Sequence, residues 1–85
     1  MSAARETLER VFREEYAIII ASLIRRSGSF DLAEEALQDA FSTAMLTWER
    51  GGPPSNAAAW LTTVAHRKLI DMLRRQKTKA ISSRN

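Results

Sequence analysis

Glu35, Gln38, Asp39 and Ser42 recur at spacings of i, i+3, i+4 and i+7. On a helix that spacing gathers two carboxylates, a carboxamide and a hydroxyl into one compact polar row. A core helix needs an apolar stripe but has no need of such a row beside it. A plain solvated helix face is the alternative. Thr63, Arg67 and Arg74 make a second row, at spacings of four and seven, and Arg74, Arg75, Lys77 and Lys79 follow with no acid among them. Their chemistry is the binding of a polyanion, nucleic acid above all. Groupings for catalysis are missing. His66 is the one histidine and cysteine is absent, so His66 reads as a surface or groove residue and not as a metal ligand. Gly51-Gly52 is followed by Pro53-Pro54 and not by Gly-Lys-Ser, so there is no phosphate loop. The serines lack the context of an activated nucleophile. No enzyme, cofactor or metal is expected.

The elements that must position these residues are helices. Leu32, Ala33, Ala36, Leu37, Ala40, Phe41, Ala44 and Trp48 repeat every three or four residues and form the apolar stripe of a helix over Asp31–Trp48. Asp31 followed by Glu34 approximates a capping box; Phe30 stands where a hydrophobic staple would begin, but its partner position is Glu35. Before it, Ser2 can cap a helix whose stripe is Leu8, Val11, Phe12, Tyr16, Ile19 and Leu23. Ile18, Ile20 and Ile24 widen that stripe, which fits a helix packed on two sides or one that meets another protein. Ser27-Gly28-Ser29 ends it, and a connection of about five residues favours antiparallel neighbours. Arg50 to Asn56, with two Gly and two Pro in four residues, is the clearest break in the chain. Ser55 or Asn56 can cap a third helix that runs to about Gln76, with Ala57, Trp60, Leu61, Val64 and Ala65, then Leu69, Met72 and Leu73, on its apolar side. Trp60 beside the Gly/Pro loop either packs with Leu61 and Val64 or offers a ring face to a base. The fold class is all-α, a three-helix bundle.

Bulk properties narrow the class. The 85 residues make one small domain with one modest core. The lack of cysteine suits a reducing cytoplasm; no apolar run is long enough to span a bilayer, and no signal peptide is evident. Net charge is +3, distributed as +1 over residues 1–30, −5 over 31–49 and +7 over 50–85. An acidic middle and a basic end point to two different partners.

Phe30 to Phe41 (FDLAEEALQDAF), then Trp48, a short loop, Ala59 to Arg67 (AWLTTVAHR), Asp71 and Arg74-Arg75 together resemble region 2 of bacterial RNA polymerase sigma factors, in the extracytoplasmic-function (ECF) group of the sigma-70 family. The resemblance covers roughly residues 8 to 76. It implies that the polar face of the second helix docks on the clamp helices of the polymerase beta-prime subunit, through Glu35, Gln38, Asp39, Phe41, Ser42 and Met45. It implies that the loop from Arg50 through Ser55 and Asn56, and the third helix after it, bind the single-stranded non-template strand of the promoter −10 element, the loop holding a flipped base. Trp60, Thr63 and Arg67 match positions at the upstream edge of that element, and Arg74, Arg75 and Lys77 match phosphate contacts. Many members carry Asn where this chain has Arg67, and the loop lacks the aromatic of some members, so base preference is not implied. Family members also carry region 4, a helix-turn-helix that reads the −35 element. By the resemblance residues 1–76 are region 2, residues 77–85 a basic tail or the start of an interdomain linker, and region 4 lies outside the chain, which favours a piece of a longer protein. Whether an anti-sigma factor holds it is left open.

Two other classes fit parts of the pattern. A helical protein-interaction module would use the acidic and isoleucine-rich faces but has no need of the +7 segment. A small duplex DNA-binding domain would prefer duplex to single strand, the reverse of what the resemblance implies.

Overall fold

The computed structural model describes residues 2–83, with side chains through Thr78. It consists of α1 (Ala3–Ser27), α2 (Phe30–Gly51) and α3 (Ala57–Ser83), of 25, 22 and 27 residues, each packed against the other two. Among the described residues there is no strand. Among the described residues no helix is long and apolar enough to cross a membrane.

Local chemistry sets the ends. The Ser2 hydroxyl accepts the Arg5 N–H at 3.1 Å and starts α1. Arg25 and Arg26 lie in its last turn, where positive charge suits the helix dipole. Gly28 then adopts a left-handed conformation (φ 69°) and donates its N–H to Ile24 O at 2.6 Å. A side chain there would be strained, which makes glycine the fitting residue. Ser29 is extended, and its hydroxyl accepts the Leu32 N–H at 3.2 Å. The α2 cap is therefore Ser29, not Asp31. Asp31 sits in the first turn, where its carboxylate still favours the dipole. The connection is two residues, not about five, because one αL glycine and one cap suffice to reverse the chain. Asn56 is the α3 cap, its Oδ1 accepting the Ala59 N–H at 3.1 Å.

The core is one cluster drawn from all three helices. Val11 and Leu23 of α1, Ala33, Ala36, Ala40 and Ala44 of α2, and Leu61, Ala65 and Leu69 of α3 have no exposed surface, and Leu37 and Trp48 are almost fully buried. The four alanines give α2 a flat inner face, which lets larger neighbours approach closely. Of the three extra isoleucines of α1, Ile20 is buried, Ile24 half-buried and Ile18 65% exposed, so α1 packs on two sides and leaves its third open. Phe12, expected in the α1 stripe, is 56% exposed and lies against Tyr16 and Phe41 at the rim of the core, with ring centroids 4.8 and 5.9 Å away.

The buried residues of α3 are Ala57, Leu61, Ala65 and Leu69, a strict four-residue repeat; Met72 and Leu73 are half-buried, and every residue from Arg74 to Thr78 is exposed. The helix continues through Ser83, past the expected end at Gln76. No Gly or Pro follows Pro54, so nothing in the local chemistry halts it. Residues 77–83 are thus helical backbone. The expected role of Lys79 and the last residues, 84–85, lie outside the described residues.

Candidate functional site

Two polar surfaces arise from this packing. On α2, burial of the alanine face turns Glu35, Gln38, Asp39 and Ser42 outward, and all four are exposed. Three ion pairs form among the described residues, Arg5–Glu9, Arg10–Glu14 and Arg75–Asp71, and none uses a carboxylate of this row. Like charges at i and i+4, as at Glu35 and Asp39, cost a helix about 0.2–0.5 kcal/mol. No ion pair of the described fold draws on the row. Phe41 and Met45 flank it half-buried, so each contributes to the core and still presents surface. Phe12 lies beside Phe41 at that edge and lines a cleft with it, Leu8 and Arg13. Periodicity alone places Phe12 in the core; in the bundle it lies at the rim beside Phe41, 56% exposed.

The second surface runs from the α2–α3 loop along α3. Arg50, Ser55, Asn56, Thr63, Arg67, Arg74, Arg75 and Lys77 are all exposed. The loop bends at Gly52 (φ 81°), while Pro53 and Pro54 are half-buried against the bundle. The Asn56 oxygen is committed to the α3 cap, which leaves its amide NH2 as the group it can offer a ligand. The helix N-terminus behind it favours negative charge. Trp60 is half-buried. Its ring meets Trp48 edge-on, centroids 5.1 Å apart and planes at 65°. The ring is thus packed in part against α2 and exposed in part. Trp48 Nε1 is buried without a hydrogen-bond partner among the described residues.

Further along, Arg67, Lys68, Ile70, Asp71 and Arg74 line one cleft. Arg75 does not stand free beside them. Its Nη2 donates to Asp71 Oδ2 at 2.6 Å. That hydrogen bond and the guanidinium charge hold the Asp71 carboxyl below the usual carboxylate range. His66 belongs to neither surface. Its Nε2 lies 3.2 Å from Ser22 Oγ of α1. The Ser22 hydroxyl already gives its one proton to Ile19 O at 2.7 Å, so Nε2 must carry a hydrogen and donate. His66 thus ties α3 to α1.

The family model for sigma-70 region 2 matches residues 11–79. This chain belongs to the sigma-70 region 2 family. Among curated relatives, RNA polymerase sigma factor YlaC of Bacillus subtilis (strain 168) is 31% identical over 71 residues, covering 84% of this chain and 41% of that protein. Uncharacterized protein R00370 of Rhizobium meliloti (strain 1021) is 46% identical over 57 residues, covering 67% of this chain and 14% of that protein. The chain therefore spans less than half the length of either relative. No solved structure gives a significant match. The region 2 match takes in both surfaces, the α2 row and the α3 face through Lys77.

Proposed function

We propose that this chain is the part of an ECF-type sigma factor that binds core RNA polymerase and captures the melted −10 element. Membership of the region 2 family and similarity to a named sigma factor support the general role. One observation carries the finer reading: an exposed acidic row outside the ion pairs of the described fold lies on α2, while a separate cationic face lies on α3. Two surfaces of opposite charge on adjacent helices suit one protein partner and one nucleic acid. Glu35, Gln38, Asp39 and Ser42, flanked by Phe41 and Met45, dock the beta-prime clamp helices. Arg50, Ser55, Asn56, Trp60, Thr63 and Arg67 take the bases of the non-template strand, and Arg74 and Lys77 take its phosphates. The action is binding, not covalent chemistry: phosphates supply affinity and captured bases supply selectivity.

The test of the polymerase side is the double variant Gln38→Ala with Asp39→Lys. Both side chains are exposed, so helicity measured by circular dichroism is expected to stay at the parent level. Loss of a hydrogen bond and reversal of a charge are expected to weaken binding to core enzyme by about tenfold or more. Undiminished capture of core enzyme by the double variant removes the assignment of α2.

The cationic end gives a separate expectation. Arg74 and Lys77 are exposed and have no partner that would fix them on a base edge among the described residues. Arg74→Gln or Lys77→Gln is expected to weaken binding to matched and scrambled single strands alike, and to lower the slope of log K against log salt by about 0.7 each. A loss confined to the matched strand would make either residue a base reader.

A further inference from the structure

Asp71 is the one acid in residues 50–85, and it stands in the middle of the cationic face of α3. Arg67 lies one turn before it, Arg74 and Arg75 one turn after, and it shares a cleft with Arg67, Lys68 and Arg74. A face built only to attract phosphate gains nothing from a carboxylate there. Nor does the fold require it: the Asp71 and Arg75 side chains are 61% and 75% exposed, and an exposed i,i+4 pair contributes little to stability. The pair is nonetheless short, 2.6 Å from Arg75 Nη2 to Asp71 Oδ2.

The hydrogen bond and charge of Asp71 raise the Arg75 guanidinium above its ordinary range, and Asp39 and Glu35 of α2 add to that hold. Arg75 itself, then Arg74 and Lys68, favour the charged form of Asp71. Negative charge from two helices therefore acts on one guanidinium of the basic end, chiefly that of Asp71. The chain reversal at Gly52–Asn56 is what brings the acidic start of α2 toward the end of α3. A phosphate that approaches Arg75 meets a guanidinium with one N–H already engaged and a carboxylate beside it.

We propose that Asp71 is a restraining residue of the nucleic-acid face, which holds Arg75 in an ion pair and withholds that cation from phosphate until the pair opens. This rests on the reading of α3 as a DNA-binding face. It revises the expectation that Arg75 contributes as Arg74 and Lys77 do. The isolated domain then makes fewer phosphate contacts than its count of cations suggests. Its indiscriminate affinity for DNA is held down without loss of a residue that a bound strand can recruit.

The experiment is a four-member cycle: the parent, Asp71→Asn, Arg75→Gln and the double variant. Each is titrated by fluorescence anisotropy against a labelled single-stranded −10-like oligonucleotide and a scrambled one, across a range of salt. Both positions are exposed, so parent-level helicity is expected throughout. Asp71→Asn is expected to bind both oligonucleotides more tightly than the parent, with a salt slope steeper by about 0.7, the mark of one added phosphate contact on a single strand. Arg75→Gln is expected to cost more affinity in the Asp71→Asn background than in the parent. Equal costs in the two backgrounds overturn the proposal, because Asp71 then acts by repulsion alone. Weaker binding by Asp71→Asn overturns it in the other direction, because Asp71 then aims Arg75 at a phosphate. Failure of the parent itself to bind single strands overturns the underlying reading of α3, and this proposal with it.

Discussion

Trp48→Ala is expected to remove a large share of the domain's stability and to move its melting transition far below the parent's. Trp48 is 2% exposed and closes the end of the core where α2 gives way to the Gly/Pro loop. Its ring meets Trp60 edge-on across the α2–α3 interface. Truncating a buried aromatic to alanine costs about 3–5 kcal/mol. A domain of this size has roughly 4–13 kcal/mol of stability in all, at about 0.05–0.15 kcal/mol per residue. One truncation thus removes a large share. The orphaned Nε1 refines the expectation. A buried donor without an acceptor carries a desolvation cost of about 1–3 kcal/mol, and Trp48→Phe keeps an aromatic ring while deleting that donor. Trp48→Phe should therefore lose far less than Trp48→Ala in thermal melts followed by circular dichroism. Phe41→Ala falls between them, because that ring is only half-buried and shares its outer side with Phe12. A Trp48→Ala protein that melts like the parent would show that the ring is not part of the core.

Trp60→Ala is expected to weaken binding to a −10-like single strand by up to about a hundredfold, with a smaller loss on a scrambled strand. The ring sits one turn into α3, behind the Asn56 cap, with one side on Trp48 and the rest open. Stacking a base on such a ring is worth about 1–3 kcal/mol, and each 1.4 kcal/mol is tenfold. Loss of the Trp48–Trp60 contact also loosens the core, so the melting curve of the variant is measured beside its affinity. Arg67→Ala serves as the cleaner partner, since an exposed arginine can be removed without leaving a cavity. Its loss should also fall more heavily on the matched strand. Equal losses on both strands for Arg67→Ala would make that residue a phosphate contact. Tighter binding of the parent to duplex than to single strand would overturn capture of a melted strand altogether.

The α2 surface and the α3 surface differ in what they ask of the rest of the protein. The acidic row lies wholly on one helix, so its geometry survives any change in how the helices pack. The proposed nucleic-acid surface is divided between a loop, a cap and about five turns of α3, and the Trp60 ring in it packs against Trp48. Damage to the core at Trp48 is therefore expected to reach DNA binding sooner than polymerase binding.

Helical periodicity by itself determined that this chain is three helices, that Leu37, Leu61 and Leu69 face inward, and that Glu35, Gln38, Asp39 and Ser42 share an outward row. Those features are local: a repeat of 3.6 residues places side chains on faces wherever the helix sits. The α2 cap at Ser29 and the run of α3 past Gln76 have local causes too, since a serine one residue after an αL glycine competes with an aspartate two residues later, and a polar helix end leaves no apolar pattern to mark it. Tertiary structure alone decided the rest. Whether Phe12 is core or rim depends on how far α2 covers α1. Whether Ile18 or Ile20 is buried depends on where α3 lies. Trp60 became half core and half surface only when Trp48 arrived from another helix, and His66 became a tie to Ser22 across 44 residues of sequence. Arg75 looked like one cation among several, yet it came under the charge of Asp39 and Glu35 because the chain reverses at Gly52–Asn56. Contacts between residues far apart in the chain depend on the crossing of helices, which no single helical repeat encodes.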